Sequence, residues 1–196
     1  MYLLKAVFLL SLILVTNTSH ARTIAEYLLE YNDKENVMEG ASSAQKSPIE
    51  KSVRITVKEL QDSQGLKYVG GYVSRAELSP YLSQMQNELG AEFSVYRENQ
   101  ATRDFGVFHM TLVNPYEYMN IDKTKVKFGT TFTAQLKGLG KASKDNKTTY
   151  FVVAQSPEAQ LYRQTLILNH KDFHVTLGFN PSDIYDVSKG TERIIK

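Results

Sequence analysis

With 196 residues, the chain has the length of one domain or of two small, closely packed lobes. It is 42% hydrophobic and 22% charged, which excludes a disordered or fibrous chain. Lys+Arg 23 against Asp+Glu 21 gives a net charge of +2, so coating long nucleic acid by charge alone is excluded while a small anionic ligand is not. The absence of cysteine excludes disulfides, zinc–thiolate sites, thiol catalysis and lipid attachment through an N-terminal cysteine.

Lys5, the apolar run from Ala6 to Val15, the polar Thr16–Ser19 and the small-x-small ending Ser19-His20-Ala21 have the layout of a cleaved signal peptide, 1–21. The apolar run covers about half of the ~20 residues a bilayer span needs. The mature chain is therefore expected to be exported, periplasmic or secreted, with no stable membrane insertion. Its first stretch, 22–51, reads as a short amphipathic helix at Thr23–Tyr31 followed by a flexible polar tether. The folded domain is expected over 52–196.

Within that domain, the alternation in Ser52–Lys58 marks a half-buried strand. The turn Asp62-Ser-Gln-Gly65 leads to a second strand around Leu66–Val73, giving a hairpin. Ser79-Pro80 and Ser156-Pro157 each place a capping hydroxyl before a proline. Helices are predicted from there to about Leu89, closed by Gly90, and through Leu168 to Asn169. Thr131–Lys137 and Thr149–Gln155 read as strands, and Gly138–Thr148 as a basic, mobile connection. This mixture of helices and hairpins predicts an α+β domain on antiparallel sheet, and no glycine-rich loop follows a strand to suggest a nucleotide-binding Rossmann or P-loop fold.

One five-residue pattern occurs twice: Phe108-His109-Met110-Thr111-Leu112 and Phe173-His174-Val175-Thr176-Leu177. Each lies in a strand-like run, where side chains alternate between faces. His109 and Thr111 therefore share one face while Phe108, Met110 and Leu112 take the other, and the second copy repeats this. A lone strand histidine is usually a surface or hydrogen-bonded residue, and threonine suits sheets by shape. Two copies that agree at four of five positions, and use two of the three histidines left after residue 21 (His109, His170 and His174), are not explained that way.

The paired motifs His109-Met110-Thr111 and His174-Val175-Thr176 resemble those of the 2H phosphoesterases. The second copy, with Asp183-Ile184 and Val187-Ser188-Lys189 behind it, is most similar to the Swiss-army-knife RNA repair-like branch. The resemblance implies a bilobal, pseudo-twofold α+β fold, with antiparallel sheets lining a central cleft and helices outside. The matching Ser-Pro helices are consistent with such a duplication, Ala91–Phe105 being an additional segment of the first lobe. It also implies a hydrolase with no metal and no other cofactor. Its substrate would be a 2′,3′-cyclic phosphate of RNA or a related nucleotide phosphodiester, with no extended nucleic-acid binding. His109 and His174 would be the general acid and base, in an order the sequence leaves open, and Thr111 and Thr176 would hold the phosphate. Tyr68, Tyr72, Arg75 and Lys189 are further candidates for substrate contact. His170, four residues before His174, could pair with it as metal ligands only on a helix, and His174 reads as strand. Oligomeric state is not legible.

Two other readings stand beside this one. The fold could bind a nucleotide without turning it over, or it could be an envelope interaction protein working through residues 22–51. The signal-peptide reading is checked by N-terminal sequencing of the exported chain. The first residue is expected to be Arg22, and a chain retaining Met1 would contradict it.

Overall fold

The computed structural model describes residues 49–195. The expected signal peptide (1–21) and the expected Thr23–Tyr31 helix lie outside the described residues, as does the expected tether up to residue 48. The tether is also shorter than read, because Lys51 already begins the first strand and Glu50 pairs with Lys137.

Seven strands make one antiparallel sheet: β1 Lys51–Thr56, β2 Lys58–Gln61, β3 Lys67–Val73, β4 Phe108–Val113, β5 Thr131–Lys144, β6 Lys147–Gln155 and β7 Phe173–Asn180. Their spatial order is β1-β5-β6-β7-β4-β3-β2. Among the described residues four α-helices join them: α1 Arg75–Leu89, α2 Phe93–Asp104, α3 Pro115–Asn120 and α4 Pro157–Thr165. The order hides a repeat. A hairpin, a helical connection and an inner strand occur as β2-β3-(α1, α2)-β4 and again as β5-β6-α4-β7, and the two inner strands lie side by side. The expected α+β duplication is present, with its halves joined in one continuous sheet.

Consecutive strands β1 and β2 occupy opposite edges of that sheet, so it must curl. The chain crosses from one edge to the other at Val57, which is fully buried and holds the end of the β5 connection through Val57 N–H to Thr130 O (2.8 Å) and Gly129 N–H to Val57 O (2.9 Å). The expected strand 52–58 is thus two strands, and only β2 forms the hairpin with β3. Where the curl brings β3 against β1, Gly71 is required: a Cβ there would stand 2.5 Å from Ile55 Cγ2 and 2.7 Å from Thr56 O.

The buried face of the sheet carries Val53, Ile55, Val69, Met110, Leu112, Leu136, Val152, Val175 and Leu177, against Leu78, Tyr81 and Met85 of α1, Tyr96 of α2 and Tyr162 of α4. A smaller apolar cluster of Ala142, Phe151, Val153 and Ile184 joins the strands to the tail after β7.

Three local readings need correction. Helix α1 starts at Arg75, not at Ser79-Pro80. Ser74 caps it, in a reciprocal capping box with Glu77, and Pro80 lies inside the helix. The stronger signal was the capping pair, whose two orphan N–H groups are satisfied together. The matching Ser-Pro dipeptides are therefore not a mark of the duplication; only Ser156-Pro157 starts a helix, and α4 ends at Thr165. Gly138–Thr148 is not a mobile connection but the continuation of β5 and β6, which meet at a two-residue turn between Lys144 and Lys147 with Asp145 at φ 53°. Asp and Asn tolerate that conformation. Ala91–Phe105 is helix α2 and its flanks.

The inner strands touch at one register pair, Met110 opposite Val175. Immediately after each motif threonine the ladder to the outer neighbour skips a residue: Leu112 on the β3 side and Leu177 on the β6 side. Such bulges strand backbone groups, and two arginines take them up reciprocally. Arg97, from the helical connection of the first repeat, donates to Leu177 O, and Arg163, from the helix of the second, donates to Leu112 O. Arg163 is 1% exposed and also binds Glu117 and Asn169 O. Replacing it strands Glu117 and both carbonyls. Arg163→Ala is expected to cost about 3–5 kcal/mol in urea unfolding, and a loss below about 1 kcal/mol would contradict this role.

Candidate active site

The Met110–Val175 pairing sets the site. In an antiparallel ladder the residues flanking a matched pair oppose each other crosswise. His109 therefore stands across from Thr176 and Thr111 across from His174, on the face opposite to Met110 and Val175. Directly opposed Cβ atoms in such a ladder are about 4.5–5.5 Å apart and diagonal ones roughly 7–8 Å, so the four motif side chains form one compact rectangle with a histidine at each end of one diagonal. All four residues proposed from the motif are brought together. Neither threonine hydroxyl has a hydrogen-bond partner among the described residues, and neither is sealed from solvent.

The histidines sit in different surroundings. The Nδ1 of His174 is 3.3 Å from the carbonyl of Asp172, and the Phe151 ring meets the imidazole edge-on at 5.7 Å between centroids. Burial, reinforced by the Lys189 ammonium, pushes its pKa well below the ordinary value. His109 has Nε2 3.3 Å from the Tyr68 hydroxyl, while its Nδ1 is buried with no partner. Burial lowers its pKa too, partly offset by Asp104.

Beside the rectangle lies a buried chain of four charges. Arg103 grips Asp104 through Nε and Nη2 (both 2.7 Å) and reaches Asp183 through Nη1. Lys189 Nζ donates to Asp183 at 2.9 Å, as does the Thr149 hydroxyl. Burial alone would raise the Asp183 pKa, but Lys189 and Arg103 hold it far below the carboxylate range. The Asp183 carboxylate acts on both imidazoles in the direction opposite to burial, raising their pKa. Two positive and two negative charges balance, so the platform fixes positions without adding net charge.

The remaining candidates separate. Tyr68 is 6% exposed and lies on His109, with ring centroids 5.1 Å apart and its own pKa raised by burial. Tyr72 pairs with His109 in the ladder and is 48% exposed, with Lys58 Nζ 5.3 Å from its ring centroid. Arg75 is exposed at the first turn of α1, and no hydrogen bond ties it to the motif residues. Lys189 is 4% exposed and committed to Asp183, so it touches His174 through its field rather than offering a free ammonium. Arg103, Asp104 and Phe151 were not singled out from the sequence. The pair Arg103-Asp104 closes a helix read only as an additional segment, and nothing in two adjacent charges announces burial. Phe151 is one of a run of apolar residues with no mark of its own.

No group of three or more His, Asp or Glu residues suited to a metal ion stands together among the described residues. A cavity of about 600 Å³ lies elsewhere, between α3 and the end of α4.

A family model described as Swiss Army Knife, 2H phosphoesterase domain, matches residues 73–185. That stretch is more than half of the chain and contains both His-x-Thr motifs. Neither the curated proteins nor the solved structures give a match.

The lowered pKa values carry a sign. Unfolding returns His109 and His174 to about 6.5, so below that pH the unfolded chain takes up protons that the folded chain refuses, and stability falls as pH falls. Asp183 adds a second loss below about pH 4, as its paired carboxylate must be protonated. Urea midpoints between about pH 8 and 3 are expected to decline through both windows, and His109→Gln with His174→Gln should remove the first. A midpoint that rises on acidification from 7 to about 5 would contradict the buried, neutral histidines.

Proposed function

The chain belongs to the Swiss Army Knife 2H phosphoesterase family, a hydrolase of phosphate esters, and from that premise we propose that it is an exported phosphodiesterase for a 2′,3′-cyclic phosphate of RNA ends or a related nucleotide phosphodiester. The observation that carries this reading is the crosswise rectangle His109, Thr111, His174 and Thr176 on one face of the two central strands.

Hydrolysis of such an ester needs one proton removed from water and one given to the leaving oxygen. Two imidazoles on one diagonal are within reach of opposite sides of a single phosphorus. The hydroxyls on the other diagonal donate to the equatorial oxygens, where negative charge accumulates. The apolar backing of Met110 and Val175 and the buried charge chain hold these groups in place before substrate arrives. Exposed Tyr72, opposite His109, supplies a flat ring for a nucleobase, with stacking worth about 1–3 kcal/mol.

His109→Ala and His174→Ala are each expected to lower kcat by roughly 10²–10⁴-fold, with the double variant little worse than either single, because the two act as a unit. A fully active single variant would end the reading. The test is a panel of 2′,3′-cyclic, 3′,5′-cyclic and linear 2′–5′ substrates assayed with EDTA present, in which the 2′,3′-cyclic ester should be turned over. Since burial depresses both imidazoles, the bell of kcat/KM against pH should centre below about 6.5. A flat profile between about pH 5 and 8 would contradict a histidine pair.

A further inference from the structure

The two motifs are alike in sequence, but their imidazoles are hydrogen-bonded through different nitrogens. A backbone carbonyl only accepts, so the contact between His174 Nδ1 and Asp172 O requires the proton on Nδ1. The lone pair of a neutral His174 is then on Nε2, which has no protein partner among the described residues and is not sealed from solvent. In His109 the buried, partnerless atom is Nδ1. A stranded N–H donor is rarer and more costly in folded proteins than an unused acceptor. The proton of a resting, neutral His109 therefore belongs on Nε2, shared with the Tyr68 oxygen at 3.3 Å. Around that ring stand the Tyr68 phenol, Tyr72 across the ladder, and the charges of Arg103, Asp104 and Asp183.

We propose that Tyr68 is a positioning residue that makes the two histidines unequal, so that His174 takes the proton from the nucleophile and His109 gives one to the leaving oxygen. This rests on the phosphodiesterase reading and gives its two halves a direction. Water forms the new P–O bond and its proton goes to His174 Nε2, producing an imidazolium whose Nδ1–H stays on Asp172 O. The ester P–O bond breaks, and the leaving oxygen takes the Nε2 proton of a protonated His109, which is left for that step as the neutral Nδ1–H tautomer, whose unpartnered N–H favours return of a proton to Nε2. Solvent returns both rings to their starting forms. Tyr68 lies on β3, before the first residue that the family model matches.

Nitrogen-15 NMR of the histidine rings in the full chain, with signals assigned by single His→Gln variants, tests the positioning directly. His174 should be the Nδ1–H tautomer and His109 the Nε2–H tautomer. Tyr68→Phe, which removes one oxygen and keeps the ring, should shift only the His109 signals. His109 with its proton on Nδ1, or unmoved by Tyr68→Phe, would overturn the proposal.

Kinetics test the direction. A p-nitrophenyl phosphodiester leaves without needing a proton, so His109→Ala should lose at least about tenfold less activity on it than on a 2′,3′-cyclic mononucleotide. His174→Ala should lose equally on both. The opposite pattern, with His174→Ala rescued, would reverse the assignment. If the unaltered chain turns over neither ester, the phosphodiesterase reading fails, while the tautomers still decide the role of Tyr68.

Discussion

The site depends on a strand pair that is held together and held open at once. β4 and β7 meet at Met110 and Val175, and that single register aligns two polar pairs crosswise. Continuous ladders on both sides would leave the inner strands regular. Instead each bulges just after its threonine, and the carbonyls released at Leu112 and Leu177 are taken by Arg163 and Arg97 from opposite halves of the repeat. Each half therefore completes the other's motif strand. A guanidinium suits this task because it presents several donors in a fixed plane and keeps its charge when buried.

The same economy governs the polar side of the sheet. Arg103, Asp104, Asp183 and Lys189 could each be an expensive buried ion, yet every one is paired, and Gln100 and Thr149 satisfy further oxygens. Paired burial of this kind is weak evidence for stability and better understood as fixing geometry. Here it sets the field around both imidazoles, while burial of the rings themselves keeps them neutral at rest.

Much of this was legible in the sequence, for identifiable reasons. Alternation in Phe108–Leu112 and Phe173–Leu177 told which face each His-Thr pair would occupy, because a strand leaves no other choice. That the two motifs meet was not in that pattern; the family resemblance implied it as facing lobes across a cleft, and the side-by-side strands, with the register that crosses each His with a Thr, came only with the coordinates. The break at Val57 was invisible because a fully buried valine continues the alternation across it. Lys189 was read as a contact for substrate, since nothing local distinguishes an exposed lysine from one folded onto an aspartate six residues earlier. Arg97 and Arg163, far in sequence from the carbonyls they serve, left no local signal at all.

The claim that most needs testing is that both imidazoles serve one phosphorus. Titrating the full chain with a nucleoside 2′-phosphate while following the ring protons of His109 and His174 by NMR addresses it without relying on turnover. The account predicts that both sets of signals move together, with a single midpoint and one anion bound per chain. Separate midpoints, or a response confined to one of the two rings, would contradict it.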